Sequence, residues 1–138
     1  MANLNIKPLV KRMMEKLVIE AKLANTPILI TQGLRTFEEQ NELYKKGRRG
    51  IKGEKIVTNA KGGQSFHCWG VAFDICFLVG NKASYTGNWN KIGVLGEKLG
   101  LEWGGRWKSF PDRPHFSYTG GYKLSDFQKG LIDNKKFI

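Results

Sequence analysis

The sequence predicts a small single α+β domain, with an antiparallel sheet that carries the functional residues and helices packed on one side of it. Three observations point there. Helix-period segments come early, at residues 9–21 and 37–46, and the strongest strand pattern, GVAFDICFLV at 70–79, follows them. The order lacks the regular strand–helix–strand alternation of a parallel sheet. The chain has 138 residues and is 41% apolar, enough for one core and one domain.

Taken in order, Leu9, Val10, Met13, Met14, Leu17, Val18 and Ala21 fall on one face of a 3.6-residue period, and Pro8 suits the first turn of that helix. TPILIT at 26–31 reads as a short buried strand. Thr36 followed by Glu39 fits a capping box, so a second helix is expected from Phe37 to Lys46, stopped by Gly47. Residues 47–63 are rich in glycine and lysine and read as a long loop with one extended piece, IVTNA. GNKASYTGN at 80–88 is turn material, and Trp89, Ile92, Leu95, Gly96 and Leu99 mark a third helix ended by Gly100. LEW and HFSYT read as two further short strands, and Ser125 with Gln128 as the cap of a short C-terminal helix. Repeats, low-complexity segments and linkers are not seen, so residues 1–138 are expected to form one domain without a separate binding domain.

The net charge is +11, with 12 basic and 6 acidic side chains in residues 1–55 and 11 and 6 in residues 56–138. That field draws the protein toward polyanions, and charge alone does not choose among nucleic acid, anionic membrane and anionic cell-wall polymer. With no recognised nucleic-acid motif, nucleic acid is not expected as a partner. No stretch is long enough to span a bilayer, and Lys7, Lys11, Arg12, Glu15 and Lys16 interrupt the start too often for a secretory signal. The expectation is synthesis in the cytoplasm, no stable membrane association, and a monomer.

The chemistry concentrates around the only two histidines, His67 and His115. Each shares its stretch with an aspartate, His67 with Asp74 in SFHCWGVAFD and His115 with Asp112 in FPDRPHF. Spacing alone leaves two accounts open. In one, the histidines are surface or satisfied core residues and Asp112 is a turn former. In the other, His67, Asp74 and His115 hold one zinc ion, which takes three protein ligands in catalytic sites and leaves a fourth place for water. The zinc account also explains why an aspartate stands in an apolar strand, where its charge is costly unless compensated. Gly70 would let the backbone turn between the two ligands. Asp112 is then spare to act as general base and acid, stiffened by Pro111 and Pro114.

Arg35 lies at a strand-to-helix transition. It either pairs with Glu38 or Glu39 on the surface, or faces a cleft to bind a substrate carboxylate or stabilise an oxyanion. Cys68 and Cys76 read as small apolar fillers, because neighbours such as His67 and Cys68 rarely both reach one ion. Among the aromatic residues around Asp112 and His115 (Trp103, Trp107, Phe110, Phe116, Tyr118), most are expected in the core, with Trp107 lining a substrate groove.

These residues carry a family resemblance. SFHCWGVAFD matches S-x-H-x-x-G-x-A-x-D, DRPHF matches D-x-x-H, and QGLRTFEEQNELYKKGR resembles an arginine-bearing strand–helix segment. Together they resemble the zinc peptidases that include D-Ala-D-Ala carboxypeptidases and dipeptidases and the phage L-alanyl-D-glutamate endopeptidases. TNAKGGQSFH and WGGRWKSFPDRPHF are most similar to the endopeptidase branch.

The resemblance implies one Zn2+ per chain on His67, Asp74 and His115, with Asp112 as general acid/base. It implies Arg35 on the substrate or the tetrahedral intermediate, and Ser65 near the metal as a substrate contact. The implied substrate is the peptide stem of bacterial peptidoglycan, cut between L-Ala and D-Glu. A phage lysin of this kind leaves the cytoplasm through a holin and needs no signal peptide. Two other readings stand beside it: a D,D-carboxypeptidase releasing terminal D-Ala, and a non-catalytic basic wall-binding module with structural zinc.

Overall fold

Pro8 opens the longest helix, α1 (Pro8–Leu23), whose Val10, Met13, Met14, Leu17 and Ala21 are buried along one stripe. The computed structural model describes residues 2–138. After α1 come β1 (Ile28–Gln32), α2 (Phe37–Lys45), β2 (Ala72–Val79), β3 (Lys82–Ser84), α3 (Trp89–Lys98), β4 (Glu102–Trp103), β5 (His115–Ser117) and α4 (Leu124–Gln128). Short 3₁₀ turns stand at Phe66–Trp69, Gly104–Arg106 and Asn134–Phe137. No helix among the described residues is long and apolar enough to cross a membrane.

The sheet is antiparallel throughout, in the order β1-β2-β5-β4, with β3 pairing the end of β2. Alternation along β2 sends Phe73, Ile75 and Phe77 to one face and Asp74 to the other. On the first face Phe73 stacks on Phe116 of β5, ring centroids 5.8 Å apart, and Phe77 meets Trp89 of α3 at 4.5 Å. α3 lies close because Gly96 has no side chain; a Cβ there would stand 2.5 Å from the Phe116 ring. α1 and α3 supply most of the helical residues in this core, and burial of each large side chain contributes roughly 1.5–3 kcal/mol.

IVTNA lies within the loop expected at 47–63, and no strand is assigned there. Two expectations change against the structure. GNKASYTGN is not turn material throughout, since Lys82–Ser84 pairs with Phe77–Val79 as β3. Ser125 and Gln128 do not cap α4: Ser125 is inside the helix, and Asp126 instead accepts the Lys123 backbone N–H at 2.8 Å. Gln128 donates its amide to the Gly63 carbonyl, which ties α4 to the loop before the Phe66–Trp69 turn. The Thr36–Glu39 capping box forms as expected at the start of α2.

Candidate metal centre and active site

The second face of β2 holds the site. Antiparallel pairing sets Asp74 directly across from His115 on β5 and from Gln32 on β1, where the β1 register shifts by one residue. His67 arrives from the 3₁₀ turn. Ser65 caps that turn by accepting the His67 backbone N–H, and Gly70 ends it in the left-handed conformation at φ 71°. The chain thus brings the three sequence-predicted ligands together: their ligand atoms lie within 4.8 Å of one another.

His67 Nδ1 lies 2.9 Å from the Gly33 carbonyl. A carbonyl only accepts, so Nδ1 carries the proton and a neutral His67 presents the Nε2 lone pair to Asp74 Oδ1, 3.1 Å away. His115 Nδ1 faces the same oxygen at 3.4 Å. Lone pairs aimed at a carboxylate oxygen repel unless a proton or a cation sits among them. Bonds of about 2.0–2.1 Å to a tetrahedral zinc would separate its ligands by about 3.3 Å, close to both spacings. The donor set of two imidazoles and one carboxylate therefore fits zinc. The Gly33 carbonyl is the outer partner that orients a metal-binding histidine. Gly33 has no room for a side chain, since a Cβ would meet the Asn3 carbonyl oxygen at 2.2 Å. Nε2 of His115 is buried without a protein partner among the described residues.

Burial works against the ionised form of Asp74, but with a proton rather than a cation between the groups the hydrogen bonds of His115 and His67 outweigh it and hold the carboxyl well below the usual carboxylate range. Asp112 goes the other way. Burial raises its carboxyl, and the nearby negative charge of Asp74 raises it further. Its backbone is fixed by a 2.9 Å bond from its N–H to the Gly104 carbonyl. Gly104 must be glycine, because a Cβ would stand 2.4 Å from the Asp112 carbonyl oxygen. Asp112 lines a cavity of about 490 Å³ together with Arg35, Ser65, His67, Asp74, Trp107 and His115, so every sequence-predicted site residue meets there.

Arg35 pairs with neither Glu38 nor Glu39. Glu39 is engaged by the Thr36 cap, and the guanidinium turns inward, 3.9 Å from Asp74 Oδ2. One of its nitrogens donates to Gln40 Oε1 at 2.8 Å, while Gln40 Nε2 donates to the Ala60 carbonyl at 2.8 Å. Gln40 is the only buried residue of α2, at 0% exposure, and sequence reasoning missed it. The available signal was a glutamine on the face of α2 that turns inward. The Gly33 carbonyl was missed as well, and no sequence signal marks a backbone acceptor. Trp107 stands at the rim with its ring 4.8 Å from that of His115. Cys68 and Cys76 are buried free thiols outside the ligand cluster. Of the aromatic set around Asp112 and His115, Trp103 and Phe116 lie in the core and Tyr118 packs against it, whereas Phe110 is 80% exposed.

Comparison with known proteins agrees with this geometry. Residues 58–118 match a family model described as D-alanyl-D-alanine carboxypeptidase, of the M15 peptidases. A peptidoglycan L-alanyl-D-glutamate endopeptidase of Bacillus subtilis (strain 168), CwlK, is 38% identical over 122 residues, covering 80% of this chain and 72% of that protein. An L-alanyl-D-glutamate peptidase of Listeria phage A118 is 28% identical over 108 residues, which is 75% of this chain but only 34% of the phage protein. Among solved structures, the L-Ala D-Glu endopeptidase ChiX of Serratia marcescens superposes with a TM-score of 0.65 at 26% identity, over 85% of this chain and 84% of that one. A vancomycin-resistance D,D-pentapeptidase, VanY, solved in complex with Zn(II), shares the fold at a TM-score of 0.65 and 16% identity, over 96% of this chain and 83% of that one. The chain belongs to the M15 peptidase family.

Proposed function

We propose that the protein is a zinc metallopeptidase that hydrolyses the L-Ala–D-Glu bond in the peptide stem of bacterial peptidoglycan. One observation carries the chemistry: His67 Nε2, Asp74 Oδ1 and His115 Nδ1 converge while Asp112 lines the same cavity uncommitted to the cluster. The relatives' shared specificity supports the scissile bond. Zinc held by those three atoms would supply Lewis acidity toward water and the scissile carbonyl.

The chain's own residues do the rest. Asp112 takes a proton from the attacking water and passes it to the departing amine nitrogen. Its raised pKa suits that exchange, because a carboxyl closer to neutrality returns the proton more readily. Arg35, held by Gln40, offers a fixed positive charge to the oxyanion or to a substrate carboxylate. Ser65 and Trp107 line the cavity and contact the substrate. In this reading the protein works as a monomer at the cell wall, exported through a holin, and residues 1–138 are one catalytic unit.

The test is mass spectrometry of purified muropeptides digested with and without a chelator. The expected product carries a new N-terminal D-Glu and disappears when the metal is stripped. Release of D-Ala alone would move the assignment to a D,D-carboxypeptidase. That second reading is favoured by the description of the matching family model and by an arginine suited to a free C-terminal carboxylate.

A further inference from the structure

Beside the metal cavity lies a groove of about 1000 Å³, lined by residues 56–60, by Gln64 and Trp107, by residues 109–112 and by α4. Its lining is unusual for this protein. The chain carries 23 lysines and arginines, yet none lines the groove, and the one ionisable side chain there is Asp112, which belongs to the catalytic cavity. The polar groups are neutral amides and hydroxyls, among them Thr58, Asn59, Gln64, Ser109 and Ser125. The apolar part is open to water: Ile56 is 55% exposed, Val57 59%, Trp107 42% and Phe110 80%. Phe110 is also held at φ 53°, a left-handed conformation that a bulky residue adopts only where the surrounding chain enforces it. A strained backbone that displays an aromatic ring at a groove edge marks a binding surface.

A peptide stem is rich in carboxylates, and carboxylates call for cations. Arg35 answers that need inside the metal cavity, whereas the outer groove is lined by no cationic side chain. Neutral hydrogen-bonding groups beside aromatic faces instead suit N-acetylated sugars, whose acetamides and hydroxyls pair with amides and whose ring faces stack on aromatic rings. We propose that this groove is a subsite for the glycan strand, holding the N-acetyl sugars that precede the L-Ala residue, with Phe110 and Trp107 as stacking platforms. The proposal rests on the endopeptidase reading, in which the acyl side of the scissile bond bears the sugar. It places that side toward Phe110 and the D-Glu side toward Arg35.

The experiment has two arms. In the first, kcat/KM is measured on a stem peptide and on the same peptide attached to its N-acetylated disaccharide. The subsite predicts a preference for the sugar-bearing substrate, and Phe110→Ala lowers the ratio of the two values about tenfold, the scale of one lost stacking contact. Ser125→Ala lowers the same ratio by a smaller factor. In the second arm, N,N′-diacetylchitobiose is titrated into the protein and followed by NMR. Saturable shifts in residues 56–60 and 107–111 are expected, weakened in Phe110→Ala. Equal kcat/KM for both substrates, or a ratio that Phe110→Ala leaves unchanged, together with no sugar-induced shifts, would overturn the subsite. Sugar binding without cleavage of either substrate would retain the subsite and reject the endopeptidase reading.

Discussion

The two faces of β2 are built on opposite principles. One face presents Phe73, Ile75 and Phe77 to α1 and α3, every partner is apolar, and water is excluded. The other face presents Asp74 to two imidazole nitrogens, with Arg35 and the half-buried Asp112 nearby. The first face stabilises the fold. The second is held in place by it and costs stability, since a largely buried carboxylate flanked by two imidazoles is tolerated only for what the group binds. Phe73 and Asp74, adjacent on one strand, thus serve the core and the site respectively, and substitutions at the two should separate cleanly.

The largest effect is expected on the apolar face. Phe73→Ala empties a site between Phe116 and the helices and should lower the unfolding free energy by about 3–5 kcal/mol, measured by urea denaturation. On the polar face, Asp112→Asn should reduce kcat by about 10²–10⁴-fold while urea denaturation shows no loss of stability. If Asp112→Asn unfolds the protein, or Phe73→Ala leaves stability intact while abolishing activity, the division between the faces fails. Gln40→Met is intermediate. It removes the partner that fixes Arg35, so kcat/KM should fall roughly 10- to 100-fold at unchanged zinc content. A parallel loss of zinc would show that Gln40 supports the metal cluster rather than the arginine.

The smallest effect sharpens the comparison through pH, in chelator-treated protein. The Asp74 carboxyl is depressed in the fold, so its contribution is present above the ordinary carboxylate pKa and is lost as pH falls through the acid range. The Asp112 carboxyl is raised, so its ionised form is penalised by folding and the penalty appears as pH rises through its titration. Asp112→Asn should therefore raise the Tm at neutral pH, with the gain vanishing in acid. A gain that persists unchanged at acid pH would contradict that assignment of charge.

What the sequence disclosed follows from what is local. The Thr36–Glu39 cap, the apolar stripe of α1 and the spacing of His67 to Asp74 are set within a turn or a strand, and each stands where the pattern put it. Asp112 and His115 were likewise readable as a pair. The meeting of Asp74 with His115 was not local. It depends on the antiparallel register of β2 and β5; spacing left it as one of two open accounts, and the family resemblance favoured it. Gln40 left only its place on the inward face of α2, and the Gly33 carbonyl, a backbone acceptor, left no trace. β3 escaped notice because three residues following Gly80 and Asn81 look like turn until their partner strand is known. Composition did not tell which aromatic residues around Asp112 and His115 leave the core; Phe110, at φ 53°, stands outside it.

The central claim is that His67, Asp74 and His115 close around one zinc ion and that Asp112 stands beside it without binding it. Elemental analysis of zinc in wild-type protein, His115→Ala and Asp112→Asn, each refolded or dialysed against the same zinc buffer, tests this most directly. The account predicts one equivalent in wild type and in Asp112→Asn, and a large loss in His115→Ala. Equal zinc in all three proteins, or loss of zinc from Asp112→Asn, would contradict it.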